Sequence, residues 1–190
     1  MDKPSSPDPI SEPKEYQDFL IALLHGDDPG QVQAGTPNAW RALVSTAGAP
    51  GHVRPEPSEW SAVECLAHAV DAEVVMSGRY RWILAHDEPP LIGYDQDLWV
   101  DRLHAPRHED PEDLLQLFGA LRFANVRLWD NSSEEDRARV GMHAERGPES
   151  FDLCFVCWRD TIASTWRRPS VRSKRCPSKP ERTRRERLVR

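Results

Sequence analysis

The sequence predicts an all-α protein, and three observations support this prediction. Apolar side chains in the first 153 residues recur at intervals of three and four, which places them on one face of a helix. Helix-capping residues followed by proline or acidic side chains stand before several of these segments. No segment before Leu153 has the alternation of apolar and polar residues typical of a strand. The expected architecture is therefore a helical bundle over residues 11–153.

The N-terminal part is expected to contain a disordered segment and two helices. Residues 1–10 are rich in Pro, Ser and Asp, a composition typical of disorder. Ser11 is predicted to cap the first helix, which ends at Gly26. Thr36 is predicted to cap the second helix, with Pro37 at its first helical position and Gly48 after its last turn.

The central helix is predicted from Ser58 to about Ala85. Ser61 and Glu64 have the spacing of a capping box, in which each side chain accepts a hydrogen bond from the other residue's backbone N–H. The stripe predicted to face the core comprises Val63, Leu66, Ala67, Val70 and Val74.

Two further helices are predicted after a long connection. Residues 87–108 are rich in proline and are expected to form this connection, with one turn around residues 94–102. Asp110 is predicted to cap the next helix, which begins at Pro111 and ends at Asn131. Residues 134–147 are predicted to be a linker, and the run around Pro148 has the pattern of another helix start.

His68 is the candidate metal ligand in the central helix. It lies off the apolar stripe, in line with Glu64, Asp71 and Val75, since residues three and four apart share a helix face. Taken alone, this pattern favours a solvated polar face with an incidental histidine. One histidine is a weak metal signal, because catalytic zinc sites usually take three protein ligands.

Several motifs in order resemble the DinB/YfiT-like superfamily. Residues 59–61 read Glu-Trp-Ser, and residues 64–73 read Glu-Cys-Leu-Ala-His-Ala-Val-Asp-Ala-Glu, similar to the family's second helix. Residues 87–91 (Asp-Glu-Pro-Pro-Leu), 94–99 (Tyr-Asp-Gln-Asp-Leu-Trp) and 143–150 (His-Ala-Glu-Arg-Gly-Pro-Glu-Ser) continue the match. The resemblance spans about residues 12–153.

This resemblance implies a four-helix bundle that holds a divalent metal, zinc or nickel, through three histidines. His68 matches the ligand of the second helix, and the other two form a His-x-x-x-His pair on the last helix. Such a metal acts as a Lewis acid or lowers the pKa of a bound thiol or water. Relatives include thiol-dependent S-transferases and metal-dependent hydrolases, which implies a small-molecule or thiol substrate. The resemblance also implies a homodimer, for which the residues themselves give no separate signal. The residues identify no catalytic group.

The chain departs from the family pattern where its charge reverses. Residues 1–153 carry 13 Lys and Arg against 28 Asp and Glu, a formal charge of −15, whereas residues 154–190 carry 12 against 3, which is +9. All seven histidines precede Leu153, so the last helix lacks both expected ligands. We therefore expect the metal site to be impaired and the last helix to be disrupted in this chain.

We hypothesise that residues from about 154 onward are an out-of-frame translation. Reading one nucleotide earlier joins each codon's last base to the first two bases of the next codon. The junction of residues 157 and 158 then encodes only Leu, the junction of 160 and 161 only His or Tyr, and the junction of 164 and 165 allows His. With C or G at most third positions, one allowed reading is an apolar helix with two histidines four residues apart.

The alternative is a functional basic tail. Clustered Arg and Lys in residues 167–185 could bind phosphate backbones with a strong salt dependence, which would make the protein a non-enzymatic nucleic-acid-binding protein. The acidic body makes nucleic acid an unfavourable partner. Cys154 and Cys157 have redox-pair spacing but lack a second half-site. The N-terminus lacks a signal-peptide pattern and no apolar run could span a membrane, so a cytoplasmic location is expected.

Overall fold

The computed structural model describes residues 7–8, 11–22, 26–57, 59–105 and 107–157. As predicted, this part of the chain is predominantly helical. Its longer helices are α1 (Pro13–Ala22), α2 (Pro29–Ala47), α3 (Ala62–Ala85) and α5 (Pro111–Asp130). Shorter helices are α4 (Gln96–Trp99), α6 (Glu134–Ala138) and α7 (Phe151–Cys157), with a 3₁₀ turn at Ala49–His52 and a π-helical turn at Val100–His104. The predicted disordered residues 1–10 lie largely outside the described residues.

Helices α3 and α5 pack side by side and run in the same direction. Glu73 pairs with Arg122, and Ser77, one turn later, accepts a hydrogen bond from Asn125, three residues beyond Arg122. The connection between these helices must therefore return along the whole length of the bundle. Helix α2 runs antiparallel to α5, and the apolar side chains of α2, α3 and α5 form one core cluster.

The prediction for α2 was wrong at its N-terminus. Asp28 caps the helix by accepting a hydrogen bond from the Gln31 N–H at 2.8 Å, so Thr36 and Pro37 lie inside it. Pro37 has no N–H to donate to the Gln33 carbonyl, but the Thr36 hydroxyl donates to that oxygen at 2.7 Å. This substitute bond allows the helix to continue through the proline. Gly48 ends the helix as predicted, with φ of +57°.

Helix α3 begins with the predicted capping box. Ser61 accepts a hydrogen bond from the Glu64 N–H at 3.1 Å, and the Glu64 carboxylate accepts one from the Ser61 N–H at 2.8 Å. The predicted core stripe is buried except for Val74, which is 46% exposed. Neighbours cover other faces of the helix as well, because α2, α5, α7 and the π-helical turn all pack against it. The predicted solvated face is therefore buried.

A small sheet corrects the expectation of no strands. Strand β1 (Pro90–Leu91) pairs in parallel with β2 (Val140–His143), which pairs in antiparallel with β3 (Gly147–Ser150). Residues around Pro148, where a helix start was predicted, thus form a strand. The strands are too short to show an alternation of apolar and polar residues in the sequence. Pairing of β1 with β2 also requires the segment after α3 to lie beside the β2–β3 hairpin, which no local pattern predicts.

Helix α5 has its predicted bounds, and α7 follows the sheet directly. Asp110 caps α5 and Asn131 lies at its C-terminal end. Helix α7 includes residues 154–157, so it continues past the expected boundary at Leu153. Phe151 and Phe155 are buried against Tyr80 and Trp129, with the Phe155 and Trp129 rings stacked at 4.3 Å. The rest of the basic tail lies outside the described residues.

Candidate functional site

His68 lies in a buried aromatic pocket rather than on a solvated face. Its ring is 5.0 Å from the Trp60 ring and 6.5 Å from the Tyr94 ring, and the residue is 7% exposed. Burial, reinforced by the nearby His104, lowers the pKa of His68 to about 4. Its buried Nδ1 atom has no hydrogen-bond partner. At neutral pH, therefore, this imidazole is uncharged, the form that a metal ligand requires.

One turn along α3, Asp71 contacts a histidine of the long connection. The Asp71 carboxylate lies 2.8 Å from His104 Nε2, and the Glu109 carboxylate contacts His104 Nδ1. Burial by itself would lower the pKa of His104, but hydrogen bonds to these two carboxylates outweigh it and raise the pKa above 6.5. Burial raises the pKa of Asp71, and His104 opposes this effect. The arrangement holds the π-helical turn against α3.

A second ionic contact holds the same connection to the start of α3. Arg54 donates to both carboxylate oxygens of Glu64 at 2.9 Å and to Asp101 at 2.9 Å. Burial would raise the pKa of Glu64, but hydrogen bonds from Arg54 and Ser61 lower it overall. Glu64 thus stays ionised while capping α3. The polar residues flanking His68 are engaged in positioning the connection.

The described residues do not complete a metal site. His68 offers a neutral imidazole with an unpartnered nitrogen, but no group of three or more His, Cys, Asp or Glu side chains in the described part of the chain could hold a metal ion. His104 cannot serve as a second ligand in this arrangement, because both its nitrogens contact carboxylates. The expected His-x-x-x-His pair would fall after residue 157, where the chain contains no histidine.

Comparison with solved structures finds the same architecture elsewhere. YfiT from Bacillus subtilis, described as a probable metal-dependent hydrolase with an unusual four-helix bundle topology, superposes with a TM-score of 0.61. The match covers 85% of this chain and 90% of YfiT at 18% sequence identity. The chain therefore has a four-helix bundle with the fold of YfiT. No protein-family model and no curated protein sequence matches the chain. At this identity the YfiT likeness establishes the fold alone, because one fold can host many activities.

Within this YfiT-like fold, the sequence identified His68 but missed its neighbours. No pattern in the sequence singles out His104, which belongs to the long connection, yet its side chain is only 10% exposed and pairs with Asp71. Asp71 and His104 are 33 residues apart, so no local spacing in the sequence indicates that they pair. The available signal was the family resemblance, because Asp71 and Tyr94 both lie in segments that carry it. No described helix is long and apolar enough to cross a membrane.

The pKa values of His68 and His104 should be shifted in opposite directions from 6.5, the usual value for histidine. In an NMR titration, we expect His68 to stay neutral until the pH approaches 4 and His104 to stay charged above 6.5. Protonation of His68 favours the unfolded state, so its contribution destabilises the fold as the pH falls from 6.5 towards 4. The His104 contribution is fully present below 6.5 and is lost as the pH rises through its raised pKa.

Single substitutions separate these two contributions. His68→Leu should reduce the loss of unfolding free energy between pH 6.5 and 4, whereas His104→Gln should alter the dependence above 6.5. A His68 resonance that titrates near 6.5 would contradict the burial argument.

Proposed function

We propose that this chain derives from a metal-dependent hydrolase or thiol S-transferase and retains only one of its three metal ligands. The observation that carries the proposal is His68, a buried neutral imidazole whose Nδ1 has no partner. An unpartnered buried nitrogen is costly in a purely structural residue, since buried polar atoms are normally hydrogen-bonded. Its presence is accounted for if this side of the bundle was built to coordinate an ion.

The direction of α7 supports the expected position of the two absent ligands. Phe151 donates its N–H to the Arg139 carbonyl, and Arg139 in turn donates to the Ile83 carbonyl near the end of α3. Four residues later, the Phe155 carbonyl accepts a hydrogen bond from Gln33, whose amide also contacts Arg122, the partner of Glu73. Helix α7 therefore proceeds antiparallel to α3.

The register of α7 against α3 indicates how far along α3 a longer α7 would extend. The Tyr80 hydroxyl donates to the Cys154 carbonyl at 3.5 Å, which puts these residues at similar heights. Two antiparallel helices advance by the same rise per residue, so position 161 would come level with about residue 73 and position 165 with about residue 69. These are the positions at which the alternative reading frame allows histidine. The proposed pair would thus approach His68.

Two measurements test the proposal. Resequencing the gene, together with the intact mass of the protein, would establish whether the frame changes near residue 154. We expect this chain, purified without chelator, to contain zinc or nickel well below one equivalent. His68→Ala is the matched control, because any metal bound through the remaining ligand should be lost in this variant. One tightly bound equivalent in the unaltered chain, with an undisturbed frame, would refute the proposed impairment.

A further inference from the structure

An apolar groove runs along α3 towards His68 and is outside the polar site described above. It lies between α3 and the connecting segment 92–99, and its volume is about 540 Å³. Its principal lining residues are Val74, Gly78, Trp82, Ile92, Tyr94 and Trp99. Pockets for small molecules typically have volumes of about 300–1,000 Å³.

The outer wall of this groove is held in place. The Arg79 guanidinium donates to the Ile92 carbonyl at 2.6 Å, and Arg79 itself is 6% exposed. Immediately before Ile92, strand β1 pairs with β2, so two sets of contacts hold the start of the segment in place. The Tyr94 and Trp99 rings contact each other with centroids 4.7 Å apart. The groove is therefore a formed feature of the fold.

The floor of the groove depends on a glycine. A Cβ atom at Gly78 would lie 3.3 Å from the Trp82 ring, so this ring packs directly on the bare backbone of Gly78. Trp82 remains 45% exposed and Ile92 71% exposed. Adjacent exposed apolar side chains of this size are typical of a ligand or partner surface.

One end of the groove approaches His68. Positions 68, 71, 75, 78 and 82 follow one face of α3 at intervals of three and four. Tyr94 belongs to the groove lining, and its ring lies 6.5 Å from the His68 ring. A molecule in the groove would thus have one end beside Tyr94, whose phenol can donate or accept a hydrogen bond.

We propose that this groove binds an uncharged small molecule with a planar aromatic body and a terminal hydroxyl group. The indole rings of Trp82 and Trp99 would contact the aromatic body, and the hydroxyl would lie at the Tyr94 end. Among the described residues no charged side chain lines the groove, so an ionic group in it would lose hydration without gaining a partner there. Binding requires no metal; its assignment as the substrate subsite rests on the proposed function.

The test uses 2-naphthylmethanol as the probe and this full chain in the presence of EDTA. We expect saturable shifts of the Trp82 and Trp99 indole N–H signals in NMR spectra. Gly78→Leu should weaken binding by about tenfold or more, because its side chain would displace the Trp82 ring that lines the groove. Gly119→Leu is the matched control: it is also a glycine inside a helix, but a Cβ there meets no atom within 4 Å.

Each result bears on the proposal directly. Absence of saturable shifts, or equal binding by the two leucine variants, would overturn it, as would equally tight binding of the charged 2-naphthoate. If circular dichroism shows that Gly78→Leu is unfolded, Trp82→Ala replaces it, since that half-exposed ring can be removed from the surface. Binding of the alcohol in EDTA, together with an undisturbed reading frame and one tightly bound metal equivalent in chelator-free preparations, would overturn the proposed function alone.

Discussion

Restoring the reading frame after Leu153 should convert a chain with little metal into one that holds a full equivalent of zinc or nickel. The frame-restored chain is the one translated from residue 154 onward one nucleotide earlier. If the restored reading encodes histidine at both allowed positions, it would add two imidazoles to the candidate ligand His68. Loss of supporting residues around a metal typically weakens affinity by about 10–100-fold, so loss of two direct ligands should exceed this effect. Calorimetric titration with zinc or nickel measures the difference.

The same change should increase the cooperativity and midpoint of thermal unfolding. In the reading allowed with C or G at most third positions, the last helix would have an apolar face that covers apolar surface on its neighbours and stabilises the bundle. His68→Ala in the frame-restored chain is the control, because it should lose metal while retaining the added packing in EDTA. A frame-restored chain that binds no more metal than the present one would disprove the proposed site.

Glu73→Gln should destabilise the protein by about 3–5 kcal/mol, the usual cost of leaving one member of a buried ion pair alone. Glu73 and Arg122 lie at the centre of the bundle, with side chains 0% and 1% exposed and a nitrogen–oxygen distance of 2.9 Å. Apart from Glu73, the Arg122 guanidinium contacts the neutral Gln33 amide and the Phe118 ring, and its Nε has no hydrogen-bond partner. The glutamine would keep the shape of the side chain while removing the negative charge.

An exposed ion pair provides the comparison. Arg41 and Glu112 are separated by 2.7 Å, but their side chains are 54% and 49% exposed. Glu112→Gln should therefore change the unfolding free energy by less than about 1 kcal/mol. Urea denaturation measures both variants, and Glu73→Gln/Arg122→Met should recover much of the loss because it removes both charges. Equal effects of the two glutamine substitutions would contradict a stabilising role for the buried charge pair.

Local signals account for the helices that the sequence located well. The Ser61–Glu64 capping box and the Asp110–Pro111 start act within one helical turn, and the structure confirms both. The prediction for α2 was wrong because Thr36–Pro37 has the same local pattern as the true start at Asp28–Pro29. In the structure, Pro37 is internal because the helix already begins at the Asp28 cap. The Thr36 hydroxyl donates to the Gln33 carbonyl, which the proline leaves without its N–H partner.

The sequence by itself determined the helical class, the bounds of α5 and the position of His68 on α3, because these follow from caps and periodicity within a few residues. Tertiary structure decided that α3 and α5 run in parallel, that the connection returns to form a sheet, and that His68 is buried beside Tyr94 and near His104. The physical reason is separation along the chain. Contacts such as Asp71–His104 and Glu73–Arg122 join residues 33 and 49 positions apart, and no local spacing specifies them.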